Sequence, residues 1–194
     1  MERKAEMTRE TSETGIYVSV NLDGTGQANV DSTVGFIDHI ITSLARHSMI
    51  DITVKSKSHD GMLHHVIEDT AITLGMALRD ALGERNNILR FAHCCIPMDE
   101  SLAECSIDLV RRPYNVVQLG LSGPATEGVP QEDLEHFFTS LLQNMEVCVH
   151  IRAIHGNNDH HIAEAATKAL AVSLRNAASL DVKRMGPAST KGKM

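Results

Sequence analysis

Aromatic side chains are nearly missing from this chain: no tryptophan, two tyrosines and four phenylalanines in 194 residues. A core must therefore be filled by Val, Ile, Leu, Ala and Met, and a hydrophobic content of 42% is enough to build one. Long apolar runs are also lacking, and none approaches the roughly 20 residues of a membrane span. The segment from Met1 to Glu13 is charged and has no apolar centre of the kind a signal peptide needs. A cytoplasmic protein that binds no membrane is expected. There is no basic excess. The formal net charge is −7, which argues against a nucleic-acid binder, since that would show a basic face. An anionic substrate would need a local basic cluster acting against the overall field. The four cysteines, Cys94, Cys95, Cys105 and Cys148, lack C-x-x-C spacing and read as reduced, small core residues.

What the chain has in excess is histidine, with eleven residues, several of them clustered. Histidine is the commonest metal ligand and also a general acid or base. The clusters repeat. Asp38-His39-Ile40-Ile41-Thr42-Ser43-Leu44 resembles Glu135-His136-Phe137-Phe138-Thr139-Ser140-Leu141, 97 residues later. His64-His65-Val66-Ile67-Glu68 resembles His160-His161-Ile162-Ala163-Glu164, and Leu78-Arg79-Asp80-Ala81 resembles Leu174-Arg175-Asn176-Ala177, both at an offset of 96. Matched blocks in order at nearly one offset argue for duplication.

Hydrophobic periodicity gives each half a similar reading. Ile16, Val18, Val20 and Leu22 alternate as a strand. Asp23-Gly24 turns the chain back, with Gln27–Val30 as the returning strand. A helix is expected over Phe36–His47, a strand over Ile50–Lys55, and a helix from His65 to Leu82 that stops at Gly83. The second half predicts strands near Ala92–Ile96, Ala103–Leu109 and Val116–Leu119. A helix over Gln131–Met145, a strand over Val147–Ile154 and a helix over His160–Ala178 follow. The fold class is α+β, two duplicated half-domains with two helices on one face of each sheet. The expected division is 1–90, 91–180 and a polar, irregular tail at 181–194. Gly120–Pro130 reads as an irregular insert.

Neighbouring helix residues point about 100° apart, so two adjacent histidines suit two different ions better than one. A glutamate three or four positions on shares a face with one of them. Two H-H-x-x-E units, with His39 and His136, offer six histidines and two glutamates. That set suits two ions with open positions for substrate or water. Imidazole and carboxylate together are compatible with Mn, Fe, Zn, Co or Ni.

The motifs resemble the imidazoleglycerol-phosphate dehydratase family along nearly the whole chain. The matching segments are Arg9-Glu10-Thr11-Ser12-Glu13-Thr14, Leu22-Asp23-Gly24-Thr25-Gly26 and Gly35-Phe36-Ile37-Asp38-His39. They continue at His64-His65 with Glu68-Asp69, Pro97-Met98-Asp99-Glu100 and Arg112-Pro113-Tyr114. The last are Glu135-His136-Phe137-Phe138, Gly156-Asn157-Asn158-Asp159-His160-His161 and Ser189-Thr190-Lys191-Gly192.

The resemblance implies half-domains that each have a four-stranded sheet backed by two helices. It implies a lyase of histidine biosynthesis that removes water from imidazole glycerol phosphate to give imidazole acetol phosphate. Two Mn2+ ions would stabilise an imidazolate, one held by His39, His65, Glu68 and His161, the other by His64, His136, His160 and Glu164. Glu13 would move protons at the reacting carbons. Arg90, Arg112, Lys168, Ser189 and Lys191 would bind the substrate and its phosphate. A homo-oligomer is implied, a 24-subunit shell built from trimers with sites between subunits. The family usually has Asp immediately before the first histidine pair. Here that residue is Leu63, and the loop Lys57–Leu63 is about one residue short, which leaves the hydrogen bonding around His64 to be found. A two-metal hydrolase is the competing enzyme class, but it would call for bridging carboxylates. A catalytically silent metal-binding shell protein would leave Glu13 and the basic set unexplained.

Overall fold

A computed structural model describes residues 2–192; Met1 and, at the end of the expected tail, Lys193 and Met194 lie outside the described residues. Strand β1 spans Lys4–Glu10, β2 Thr14–Asn21, β3 Ala28–Asp31 and β4 Asp51–Ser58; helix α1 spans Gly35–Ser48 and α2 Leu63–Leu82. The second half repeats the pattern with β5 (Phe91–Met98), β6 (Ser101–Asp108), β7 (Tyr114–Gln118), α3 (Gln131–Asn144), β10 (Cys148–His155) and α4 (Asp159–Ala178). A two-stranded β8/β9 hairpin, Ala125–Thr126 with Val129–Pro130, interrupts the segment expected to be irregular.

The two four-stranded sheets have the same order, β1-β2-β4-β3 and β5-β6-β10-β7. Alternation is the cause: Ile16, Val18 and Val20 of β2, and Ala103, Cys105 and Ile107 of β6, bury one face of each sheet. The helices cover those faces, so the expected α+β duplication is the architecture found. Helix α1 packs on α4, and α2 on α3. The layers thus run sheet, helices, helices, sheet, and a continuous apolar core passes through both halves.

Two expectations are corrected. Strand β3 is not the hairpin partner of β2. It lies at the sheet edge, parallel to β4, while β2 pairs antiparallel with β1 and β4. The connection from β3 through α1 to β4 is a crossover, which parallel strands require. The turn at Gly24 is instead anchored on Asp51, whose carboxylate accepts from the Thr25 and Gln27 amides at 2.8 and 2.9 Å. Strand β1 was not expected at all. Its outward side chains are Lys4, Glu6, Thr8 and Glu10, and its apolar inward ones are only Ala5 and Met7.

The insert explains the spacing of the repeat. Strand β6 starts 87 residues after β2, whereas α3 starts 96 residues after α1. The difference is taken up between β7 and α3, where the β8/β9 hairpin lies.

Helices α2 and α3 approach so closely that a Cβ at Gly75 would meet the Leu141 carbonyl and stand 2.9 Å from Asn144 Cβ. Gly75→Ala is expected to lower stability by about 1–3 kcal/mol through overpacking. Denaturant unfolding of the two proteins checks this; an unchanged midpoint would mean the helix pair can spread at no cost.

Candidate metal and substrate site

The helix pairs decide which histidines meet. His39 on α1 faces His160 and Glu164 on α4, and His136 on α3 faces His64 and Glu68 on α2. His39 Nε2 is 3.3 Å and His160 Nε2 3.6 Å from Glu164 Oε2. In the other trio, His136 Nε2 is 3.0 Å from Glu68 Oε1 and His64 Nε2 is 3.7 Å from Glu68 Oε2. The imidazole centroids are 5.3 Å apart in both trios. With metal–ligand bonds of about 2.0–2.2 Å, neighbouring ligand atoms of one ion lie about 3 Å apart. Each trio therefore has the donor types and the spacing of one edge of a metal site.

The grouping implied by the resemblance is not formed inside one chain. His39 lies with His160 and Glu164 rather than with His65, Glu68 and His161. The reason is the helix geometry: His65 and His161 sit one residue beyond the trio histidines and point away from them.

Each histidine of the two pairs also has Nδ1 on a carboxylate. His64 Nδ1 donates to Asp133 Oδ1 at 2.6 Å, and His65 Nδ1 to Asp60 Oδ2 at 2.6 Å. His160 Nδ1 donates to Glu127 Oε1 at 3.2 Å, and His161 Nδ1 to Glu100 Oε2 at 2.7 Å. Carboxylates only accept, so the proton sits on Nδ1 and leaves Nε2 free as a ligand atom. Asp133 thus fills the gap that Leu63 opens beside His64. None of these four carboxylates has a role assigned from the sequence, although Glu100 belongs to the matched segment Pro97-Met98-Asp99-Glu100. Asp60, Glu100 and Glu127 are ordinary loop acids there, and Asp133 is an unremarkable acid in the first turn of a helix.

The charge pattern is consistent with these pairings. The hydrogen bond from His161 holds the Glu100 carboxyl at about 2, and the same bond raises the His161 imidazole above its usual range. The Asp60 hydrogen bond likewise raises His65. Burial pushes the Glu164 carboxyl up, but hydrogen bonds from Lys168 and His39 outweigh it and leave the group below its ordinary value.

Glu13 lies in the β1–β2 turn, where its amide donates to Thr11 Oγ1 at 3.1 Å and its Oε2 is 3.8 Å from His65 Nδ1. Glu13, Asp60 and His65 form a third close group.

The basic residues gather elsewhere. Arg90, Arg112, Ser189 and Lys191 line a cleft of about 470 Å³, together with Arg111 and Thr190. Arg90 is held by a two-point bond to Asp108, at 2.7 and 2.9 Å, and its guanidinium stacks over Phe91 at 4.4 Å. Among the described residues Arg112 makes no ion pair. The tail is laid along the α2–β5 connection, with the Gly186 amide donating to Asn87 Oδ1 at 2.7 Å. Lys168 is absent from the cleft; its Nζ sits 2.9 Å from Glu164 Oε1, beside the His39 trio.

The cleft and the trios occupy opposite ends of the helices. The Arg90 amide donates to Ala177 O at the end of α4, and Arg111 Nη2 donates to Gly83 O at the end of α2. From His160 to Ala177, or from His64 to Gly83, a helix rising 1.5 Å per residue covers about 25 Å or more.

The chain is similar to known proteins along nearly all of its length. The family model for imidazoleglycerol-phosphate dehydratase matches residues 32–174. The chain is 43% identical to imidazoleglycerol-phosphate dehydratase of Zymomonas mobilis over 197 residues, covering 100% of both chains. It is 45% identical to that of Phenylobacterium zucineum over 195 residues, covering 99% of each. The crystal structure of the Staphylococcus aureus enzyme of that name superposes with a TM-score of 0.82 at 29% identity, covering 91% of this chain and 99% of that one. That of Pyrococcus furiosus superposes with a TM-score of 0.83 at 33% identity, covering 97% and 100%. On this likeness along nearly its full length, the chain belongs to the imidazoleglycerol-phosphate dehydratase family, the hydro-lyases of histidine biosynthesis.

Proposed function

We propose that the dehydration runs on two Mn2+ ions held by His39, His64, His65, Glu68, His136, His160, His161 and Glu164, with Glu13 moving protons. The observation that carries this reading is the pair of matching His-His-Glu trios, each with its Nε2 atoms converging on a carboxylate. When bound, the ions supply Lewis-acid stabilisation of negative charge developing on the substrate imidazole. The residues do the rest. The carbon beside the ring loses hydroxide, the neighbouring carbon loses its proton, and the resulting enol becomes the ketone by taking a proton at the carbon beside the ring, so an acid–base carboxylate close to the ligands is needed for the transfers. Glu13, half-exposed beside His65, fits that task. The cleft of Arg90, Arg112, Ser189 and Lys191 receives the phosphate, for which guanidinium forks and hydroxyl donors are suited.

One copy cannot hold the whole substrate, because a small molecule does not span the length of α4. A neighbouring copy must bring its cleft to the metal end. Docking the His39 trio of one chain against the His136 trio of another also generates the mixed ligand sets that one chain does not form. Lys168, paired with Glu164 at the metal end, then stands beside the incoming cleft and its phosphate. Such head-to-tail contact closes into a ring when the rotation between copies allows it, as a trimer requires.

The test is turnover of imidazole glycerol phosphate by chelator-stripped protein before and after Mn2+ is returned. Activity that disappears on stripping and is recovered with the metal is expected. Full activity in stripped protein would remove the ions from the mechanism.

A further inference from the structure

Asp133 is a carboxylate that burial alone would disfavour. It is 6% exposed on the core side of α3, one turn before Phe137, and charge in such a place is costly without a partner. Its side-chain hydrogen bond among the described residues goes to His64 Nδ1 at 2.6 Å, across the junction between the two halves. With Leu63 before it, His64 has no carboxylate at Nδ1 from its own helix, and α2 begins without a side-chain cap.

We infer that Asp133 is the positioning residue of His64: it fixes the Nδ1–H tautomer and the ring plane, and so directs Nε2 into the ion site. The inference rests on His64 being an ion ligand. The same bond ties the start of α2 to the start of α3, so ligand alignment and the junction of the halves depend on one contact. The other pair histidines take their Nδ1 partners from loops, Asp60, Glu100 and Glu127, all less buried than Asp133. His64 is therefore the pair histidine whose Nδ1 partner is the most deeply buried.

The experiment compares Asp133→Leu, Asp133→Asn and His64→Ala with the parent full-length protein. Mn2+ affinity is read by electron paramagnetic resonance titration, and the His64 ring by long-range nitrogen-15 correlation in metal-free protein. Asp133→Leu is expected to weaken one ion by about 10–100-fold and to shift His64 away from the single Nδ1–H tautomer. Asp133→Asn keeps an acceptor oxygen and is expected to retain both signals nearly unchanged. If Asp133→Leu does not fold, the His64 spectrum of the parent protein decides, where a tautomer mixture or an Nε2–H ring overturns the proposal. Parental affinity and an unchanged His64 spectrum in Asp133→Leu also overturn it. Parental Mn2+ affinity in His64→Ala would instead show that His64 is no ligand, and the positioning role would fall with that reading. Loss of an ion in His64→Ala but not in Asp133→Leu would leave the ligand reading standing and remove only the role of Asp133.

Discussion

An equal mixture of the inactive variants His136→Ala and Arg112→Ala, refolded together, is expected to regain turnover in about a quarter of its sites if cleft and ligand come from different copies. The reason is the separation of the two features along α2 and α4. A site that takes His136 from an Arg112→Ala chain and its phosphate cleft from a His136→Ala chain has every group intact. Subunits mixed at random supply that combination for one site in four. Steady-state turnover of the mixture against each parent variant is the measurement. If the mixture stays as inactive as its components although the subunits have exchanged, both features belong to one copy. The helix would then have to be shortened or the tail moved in the working enzyme.

Glu13→Gln is expected to reduce kcat by about 10²–10⁴-fold, the usual contribution of a positioned acid–base group. The Mn2+ content and KM should change little, because Glu13 stands beside His65 without entering either trio. The Thr11 hydroxyl holds the turn by accepting from the Glu13 and Thr14 amides, and these contacts do not need the carboxylate. Kinetics and metal analysis of the purified variant separate the possibilities. A loss below about tenfold would make Glu13 a spectator, and a matching loss of metal would make it a ligand.

The parts of this molecule that sequence reveals are those with strong periodicity. The apolar alternation of Ile16, Val18 and Val20 and the long faces of α2 and α4 stand out from any background. Strand β1 does not, because only Ala5 and Met7 mark its apolar inner side. The pairing of β3 is not legible either, since a turn residue says that the chain reverses, not which strand it joins. The same limit applies at the site. All eight imidazole and carboxylate candidates are visible as a repeated pattern, but their grouping depends on α1 meeting α4 and α2 meeting α3. That is a tertiary fact. Asp133 is hidden for another reason: an acid in a first helical turn is favoured by the helix dipole anyway, so its burial against His64 leaves no trace in the pattern.

Each trio takes one histidine from one half of the chain and a histidine and a glutamate from the other. Neither half could form either trio by itself. A chain of half this length, with one helix bearing the lone histidine and the next bearing H-H-x-x-E, would bring the three groups together only by pairing with an identical copy about a two-fold axis. It would then make both trios at once. The covalent link between β5 and the end of α2 turns that axis into an internal one, after which the two trios are free to differ. Asp133, Lys168 and the β8/β9 hairpin are differences of that kind, available to a fused chain and forbidden to a symmetric pair.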